Sequence, residues 1–472
     1  MFEGRTTGRS DAELLDTMRE AQRAERRAMA RYVLAAGRLC RQRAARADAA
    51  RELWCVDDYD VVAAEISAEL GISRGRAASL MHHGLTLLER LPRLGARFAA
   101  GDIDFRIITT VDYRTGLITD PELLTRLDGM LARYAPNWNK LSRRKLTDYI
   151  DRLVVDVDPE AVRLARQSDV DRHVEVEMTS DGMADVSGSV RGPDAVAFDR
   201  RLDEIAATVC RNDPRTKQQR RADAIGALGD GKDALACTCG ADDCPAADAD
   251  TADAAPGGIV IHVLAEAESV HGDGATPGYL VGHGAVPAAT LRELTDRAKL
   301  RPVVHPGDAP PEPRYRPSAA LADFVRCRDL TCRFPGCDQP AQMCELDHTV
   351  PYPAGPTHAS NLKLLCTVHH LMKTFHCGAD GWRDLQLPDG TVLWTSPSGR
   401  IHPTKPHGAM LYPQLAAPTG ELDLPAAPTP TKPGRGMAMP TRRRSRADDR
   451  AYRVEWERAI NRARYEANPP PF

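Results

Sequence analysis

The sequence of 472 residues has no apolar stretch that approaches the ~20 residues of a membrane-spanning helix, so we expect no membrane partner. Its first ten residues contain no apolar signal core, and we therefore predict a cytoplasmic protein. Aromatic residues are only 5% of the chain, whereas alanine, leucine and arginine are abundant, which favours helices. The net charge of −3 excludes a uniformly basic surface, so any contact with DNA must come from local patches.

The changing periodicity of the chain predicts an α+β protein with several domains. Leucines at helical spacing indicate a mainly helical domain over residues 1–170. Residues 171–310 form an α+β middle region with a low-complexity loop rich in alanine and aspartate. A metal-binding module follows at 311–402, and a proline-rich, coreless linker with a basic tail occupies 403–472.

Turn residues separate several short elements in the second half of the chain. The predicted elements are a hairpin from His173 to Val190, a helix from Pro193 to Val209, a strand from Ile259 to Val263 and a terminal hairpin from Thr391 to Arg400. Arginines in the basic tail can contact phosphate, or the tail can be solvated and partly disordered.

Residues Ala64–Leu80 have the pattern of a helix-turn-helix. Gly71 stands at the tight turn, and Ser73 can cap the second helix. Arg74 and Arg76 would then lie at the start of that helix, where such motifs meet DNA. The same pattern fits a helical hairpin inside a bundle core, and both interpretations stay open.

Twelve cysteines, several at metal-type spacing, indicate thiols and zinc ligands rather than a disulfide framework. Cys332 and Cys337 form one pair of soft ligands, and Cys366 and His369 form a second pair. Such paired ligands are typical of a closed, four-coordinate structural zinc site, with Cys344 as the substitute ligand if one of the four is wrong. Because the stretch has few apolar residues, we expect zinc to supply much of its folding energy.

Three residues lie between the two ligand pairs, namely Asp347, His348 and Asn361, and His370 directly follows the second pair. A histidine has an ordinary pKa near ~6.5, so much of it is neutral at cellular pH and can accept a proton. A carboxylate and an imidazole can together bind a divalent cation, which neutralises charge that develops on a phosphate. In an extended segment Asp347 and His348 point to opposite faces and can serve different tasks.

This combination of residues resembles the HNH endonuclease family over residues 324–383. The resemblance implies a ββα-metal module, a two-stranded hairpin and a helix around one ion. It implies that His348 ends the first strand and acts as the general base, facing solvent. It further implies that Asp347 and His370 hold a catalytic Mg²⁺ or Mn²⁺, and that Asn361 pins the hairpin loop or joins the metal shell.

The segments Leu87–Ile103 and Gly284–Leu294 resemble the helical domain that precedes HNH modules in the 13E12 repeat proteins of actinobacteria. That domain has no assigned activity, so this resemblance adds no mechanism. Cys237, Cys239 and Cys244 are close enough in sequence to hold a second zinc with His262 or a distant residue, or to be thiols of an exposed loop.

We therefore predict a metal-dependent endonuclease that hydrolyses phosphodiester bonds of DNA. The alternative is a catalytically inactive, zinc-stabilised protein that binds DNA or derives from a mobile element. The sequence leaves open the target site, nicking or double-strand cutting, RNA as a substrate, and whether the chain forms a homo-oligomer.

Overall fold

The computed structural model describes residues 10–46, 48–163, 172–179, 183–241, 243–246, 262–281, 284–295, 299–378, 380–424 and 438–467. The chain divides into two compact units. The first unit combines residues 1–164 with 301–472, and the second consists of residues 165–300. Of the helices in the described ranges, none has the length and apolar character that crossing a bilayer requires.

The N-terminal part of the first unit is helical, as predicted. Short polar side chains cap most of these helices, since a side-chain oxygen there accepts a free backbone N–H of the first turn. The helices are α1 (Asp11–Ala44), α2 (Asp58–Leu70), α3 (Arg74–Leu85), α4 (Pro92–Ala99), α5 (Phe105–Thr115), α6 (Pro121–Tyr134) and α7 (Arg143–Val157).

The predicted helix-turn-helix pattern is present as α2 and α3, joined by a tight turn. Gly71 ends α2 with a left-handed backbone (φ 61°), which glycine adopts without steric cost. The Ser73 side chain caps α3 by accepting the Arg76 N–H. One face of α2 adds Val62 and Ile66 to the helical core.

The second unit is a small α+β structure. Its predicted hairpin is confirmed as an antiparallel pair, and the predicted helix begins one residue early and ends three residues early. Of the predicted strand from Ile259 to Val263, residues 259–261 lie outside the described ranges, and Val263 begins a strand. Its elements are β1 (His173–Met178), β2 (Ala184–Ser189), α8 (Gly192–Ala206), α9 (Lys217–Gly229), β3 (Val263–Leu264), α10 (Ala267–His271), β4 (Gly278–Leu280), β5 (Gly284–Val286) and α11 (Ala288–Thr295).

The C-terminal part of the first unit contains two antiparallel sheets, one of two strands and one of three. The predicted terminal hairpin is confirmed and gains a third strand, in the order β10-β9-β8. The elements are α12 (Ala319–Asp329), β6 (Cys344–His348), β7 (Leu362–Cys366), α13 (Thr367–Phe375), β8 (Arg383–Gln386), β9 (Val392–Thr395), β10 (Ile401–Thr404), α14 (His407–Leu411) and α15 (Arg446–Ala467).

The prediction of a coreless linker from residue 403 is wrong for its first part, because β10 and α14 are followed by a packed turn with buried Tyr412 and Leu415. The described part of the basic tail is also packed on the rest of the first unit. Residues 438–467, the C-terminal arm, bind the N-terminal helices through a bridge between Trp54 and Thr441 and through α15. Arg442 and Arg446 pair with Asp57 and Asp60, so these arginines serve the fold.

Candidate metal centre and active site

Strands β6 and β7 and helix α13 form a hairpin-and-helix unit in the order that the sequence predicts. The strands are antiparallel, with Asp347 opposite Lys363 and His348 opposite Leu362. His348 is the last residue of β6, as predicted. Because side chains alternate along a strand, Asp347 and His348 have separate surroundings.

The four predicted zinc ligands lie together. The ligand atoms of Cys332, Cys337, Cys366 and His369 are all within 4.8 Å of one another. His369 Nδ1 is 3.5 Å from Cys332 Sγ and 3.2 Å from Cys366 Sγ. Tetrahedral zinc with bonds of about 2.3 Å to sulfur and 2.0 Å to nitrogen requires an N···S separation of about 3.5 Å. The donor set and its spacing therefore fit a zinc ion.

The proposed zinc ligands are embedded in an aromatic core, which corrects the expectation that this stretch has few apolar residues. The Phe334 ring stacks on His369 at a centroid distance of 4.0 Å, and it also packs against Trp382 and Trp394. Both tryptophans are fully buried. Zinc would thus add to an existing core rather than replace one. Cys344, the substitute ligand, instead directs its thiol to the Gln339 carbonyl.

Asp347 is buried in a network of two lysines and a second aspartate. Its Oδ2 accepts hydrogen bonds from Lys363 Nζ at 2.7 Å and Lys373 Nζ at 2.6 Å. Asp384 Oδ2 lies 2.6 Å from Lys363 Nζ. The network therefore contains two carboxylates and two ammonium groups, and its charges balance. Burial by itself raises the pKa of Asp347, but Lys363, Lys373 and His370 hold that pKa well below its usual range.

The free oxygen of Asp347 faces His370. Asp347 Oδ1 lies 3.5 Å from His370 Nε2, and the opposite ring nitrogen, Nδ1, lies 2.6 Å from Glu345 Oε2. The Glu345 carboxylate at Nδ1 fixes the orientation and the tautomer of the His370 ring, and it leaves Nε2 free to bind a cation. The pair of Asp347 and His370 can therefore offer one oxygen and one nitrogen to a divalent ion.

His348 is buried rather than solvent-facing, which corrects the expectation from the sequence. Its ring stacks on Tyr315 at 5.2 Å, and its Nε2 lies 2.9 Å from Thr357 Oγ1. When Thr357 donates its hydroxyl hydrogen to the Tyr315 carbonyl, it accepts the hydrogen of His348 Nε2, and Nδ1 of the neutral ring is then the proton acceptor. The pKa of His348 lies below its ordinary value, because the effect of burial outweighs the nearby Asp347 carboxylate, which raises that pKa.

Asn361 pins the loop between β6 and β7, one of its two predicted roles. It lies in a short turn just before β7 and is fully buried. Its Oδ1 accepts from the Val350 N–H at 2.8 Å, while its Nδ2 donates to the carbonyls of Val350 and Pro356. Gly355 fits this loop because a Cβ there would clash with the Val350 carbonyl.

Four further residues of this site were not predicted from the sequence, namely Glu345, Lys363, Lys373 and Asp384. Glu345 is two residues before Asp347, so strand alternation puts both on one face, a signal that could have identified it. Lys373 is three residues after His370 on α13, which also places these two on one face. Asp384 comes from a strand of the other sheet and has no local signal.

The start of α3 is partly engaged in contacts within the fold. Arg74 pairs with Asp60 at 2.8 Å, whereas Arg76 is exposed. The loop of the zinc ligands approaches the turn so closely that a Cβ on Gly336 would lie 2.6 Å from the Ile72 carbonyl. These contacts favour the helical-hairpin interpretation.

The three clustered thiols of the second unit also come together. Cys237, Cys239 and Cys244 are joined by Cys210 as the fourth residue. His262, proposed from the sequence, belongs to none of the ligand groups found among the described residues.

Comparison with known proteins identifies a family and several relatives. A family model described as "Domain of unknown function (DUF222)" matches residues 19–329. The chain is 42% identical to the uncharacterized protein Rv3776 of Mycobacterium tuberculosis, over 98% of this chain and 92% of that protein. It is also 42% identical to the uncharacterized protein Rv2100 of the same organism, over 98% and 90%. No solved structure gives a significant match.

Proposed function

The chain belongs to the DUF222 family, and we propose that it is a metal-dependent HNH-type endonuclease whose C-terminal module hydrolyses phosphodiester bonds of DNA. The matched family region ends at residue 329, before the first zinc ligand, so the proposal depends on the module itself. The observation that carries it is the approach of Asp347 Oδ1 to His370 Nε2, at 3.5 Å, beside His348 on the same hairpin.

His348 is the proposed general base. The hydrogen bond to Thr357 holds the Nε2 proton, so Nδ1 can take a proton from the attacking water. A lowered pKa keeps the ring neutral at cellular pH, as a base requires. The stacked Tyr315 ring limits rotation of the imidazole, which pre-orients the acceptor nitrogen.

Asp347 and His370 are the proposed ligands of the catalytic cation. One carboxylate and one imidazole, completed by water and phosphate oxygens, suit Mg²⁺ or Mn²⁺, which retain several waters. When bound, such an ion would neutralise charge on the scissile phosphate and the leaving oxygen. Glu345 would orient His370 and add a negative charge, which offsets the repulsion that two nearby ammonium groups exert on a cation.

Cys332, Cys337, Cys366 and His369 would hold a structural zinc. All four positions would be protein ligands, so no open position remains for chemistry. The zinc would fix the end of β7 and the start of α13, and with them His370, which follows His369. The twelve free thiols suit a reducing compartment, and we place the protein in the cytoplasm as part of this proposal.

A second candidate function is supported by the same lysines. Lys363 and Lys373 neutralise Asp347 without any metal, and Tyr315 covers His348. A catalytically inactive, zinc-stabilised protein that binds DNA or derives from a mobile element has no need of an accessible base. Under this alternative the buried charges serve only to hold the hairpin on α13.

Cleavage of supercoiled plasmid by the full chain with Mg²⁺ or Mn²⁺ separates the two functions. The expected result is nicked or linear product, lost on chelation and reduced about 10²–10⁴-fold in rate in His348→Gln. Glutamine can keep the hydrogen bond to Thr357 but cannot accept the proton. His271→Gln, an exposed histidine of the second unit, is the matched control and should cut at the wild-type rate.

A second variant tests the metal ligand. His370→Ala should also lose activity, and raised Mn²⁺ should restore part of it, because occupancy of the weakened site rises with concentration. The same Mn²⁺ should not rescue His348→Gln. If wild-type protein with a full zinc complement leaves plasmid intact across both metals, the endonuclease proposal fails and the binding function replaces it.

A further inference from the structure

Four cysteines of the second unit converge from two separate segments. Cys210 follows α8, whereas Cys237, Cys239 and Cys244 lie in the loop after α9. Their four sulfur atoms are all within 4.8 Å of one another, and the sulfurs of Cys210 and Cys237 are 3.6 Å apart. All four side chains are half-buried.

These separations match metal coordination rather than disulfide bonding. Four sulfurs at about 2.3 Å from a tetrahedral zinc lie about 3.8 Å from one another. A disulfide requires about 2.05 Å between the sulfurs, and the four thiols here are free. Carboxylates and imidazoles are absent from this ligand group, and an all-thiolate group suits zinc over magnesium or calcium.

The backbone around the sulfurs is arranged to stabilise thiolates. The Asn212 N–H donates to Cys210 Sγ and the Ala246 N–H donates to Cys244 Sγ, each at 3.4 Å and each from two residues further along. A hydrogen bond to the charged form of a group favours that form, and the thiolate is the metal ligand. The turn needed between the ligands is supplied by Gly240, whose φ is 72°.

Polar contacts hold the two thiol-bearing segments together without a metal. Arg215 donates to the Ala236 carbonyl at 2.7 Å, and the Thr238 N–H donates to Asp213 Oδ2 at 3.0 Å. Arg215 and Asp213 are themselves paired. The ligands of both segments are thus brought together in advance, which lowers the ordering cost of binding an ion.

The hydrophobic core beside this cluster is small. Among the described residues it consists of six that are buried, two of them alanines, namely Leu202, Ile205, Val209, Ala224, Ala227 and Leu235. Small cores of this kind commonly need a metal or another crosslink, and the binding energy of a metal is then folding energy.

We propose that Cys210, Cys237, Cys239 and Cys244 form a second, closed zinc site with a structural role in the second unit. Four protein ligands leave no open coordination position, so this site would not activate water. It is independent of the proposed nuclease function and would exist in an inactive protein as well.

Zinc content of the full chain, purified under reducing conditions, is the direct test. We expect two zinc equivalents per chain in the wild type and one in the Cys239→Ser/Cys244→Ser variant. The matched control is Cys55→Ser, a half-buried cysteine outside both ligand groups, which should keep two equivalents. One equivalent in both the wild type and the double variant would overturn the proposal.

Cobalt substitution identifies the ligands and guards against a variant that does not fold. The absorption spectrum of the cobalt-loaded double variant is subtracted from that of the cobalt-loaded wild type. The difference should show the visible bands of a tetrahedral all-thiolate site. An absent difference spectrum would refute the second site. Intact-protein mass of chain purified without a reductant gives a third outcome. A loss of two hydrogens per cysteine pair there, with no zinc bound to these cysteines in the reduced protein, would mean that they form disulfides and would overturn the metal site.

Discussion

Replacement of Lys363 by methionine should strongly destabilise the C-terminal module. The Lys363 ammonium is fully buried and bonds Asp347 at 2.7 Å, Asp384 at 2.6 Å and the Thr349 hydroxyl at 3.0 Å. Methionine has a similar length but no charge, so Lys373 would be the one ammonium group left to neutralise the Asp347 and Asp384 carboxylates. Removing one partner of a buried ion pair typically costs about 3–5 kcal/mol, because an uncompensated charge stays buried.

Urea unfolding of the full chain, followed by tryptophan fluorescence, measures this effect. Trp382 and Trp394 are fully buried in the module, and Lys363 Nζ lies 5.9 Å from the Trp394 ring. With a slope of about 2 kcal/mol per molar urea, the transition of the module should move down by about 2 M. Lys405→Met, at an exposed lysine, is the control and should change stability by less than about 0.5 kcal/mol.

A double variant tests whether charge balance is the cause. Lys363→Met combined with Asp384→Leu leaves one aspartate, Asp347, with one lysine, Lys373, and should recover most of the lost stability. Asp384→Leu alone should be destabilising. A midpoint shift below about 0.5 M in Lys363→Met would refute the buried network, as would a double variant that is less stable than Lys363→Met.

Three further predictions follow from other parts of the first unit. Cys366→Ser should remove one zinc equivalent and lower the melting temperature, yet keep part of the near-ultraviolet circular dichroism of the aromatic core; a fully unfolded module would contradict this. Burial raises the pKa of Asp57, but Arg446 and Arg442 hold that pKa below its usual range. The ion pair of Asp57 and Arg446 therefore adds stability above the unfolded pKa of about 3.9, and this stability is lost as the pH falls through the folded pKa. Arg446→Gln should flatten the acid limb of a stability–pH curve, and an unchanged limb would show that the pair contributes nothing. Gly355→Ala should cost about 1–3 kcal/mol in urea unfolding, because its Cβ meets the carbonyl of the loop it turns against, and a neutral effect would mean that the loop adapts.

The local chemistry of the hairpin-and-helix unit was predictable from the sequence. Ligand spacing predicted that Cys332, Cys337, Cys366 and His369 come together, and the resemblance to the HNH family implied that His348 ends a strand. Helix spacing and turn residues likewise predicted the N-terminal helices and the capped start of α3. These features depend on residues that are near one another in sequence, where periodicity carries information.

Features that depend on distant pairing were not predictable. Cys210 is separated by an entire helix from the three thiols it joins, and nothing in its own neighbourhood resembles a ligand motif. The sequence predicts an exposed side chain for Lys363, because lysines are almost never fully buried unless they are paired. The arginines of the C-terminal arm have the composition of a nucleic-acid-binding tail, and only their acidic partners, such as Asp57 and Asp60, reveal another role.

The docking of the C-terminal arm on α2 also sets an order for synthesis of the chain. Asp57 and its partner Arg442 are separated by 385 positions, so α2 leaves the ribosome long before the residues that neutralise it. The second unit, whose residues are all local in sequence, is made in between and can fold during that interval. Asp57 and Asp60 therefore remain without Arg442 and Arg446 until translation is nearly finished, whereas Val62 and Ile66 of α2 can already pack in the helical core.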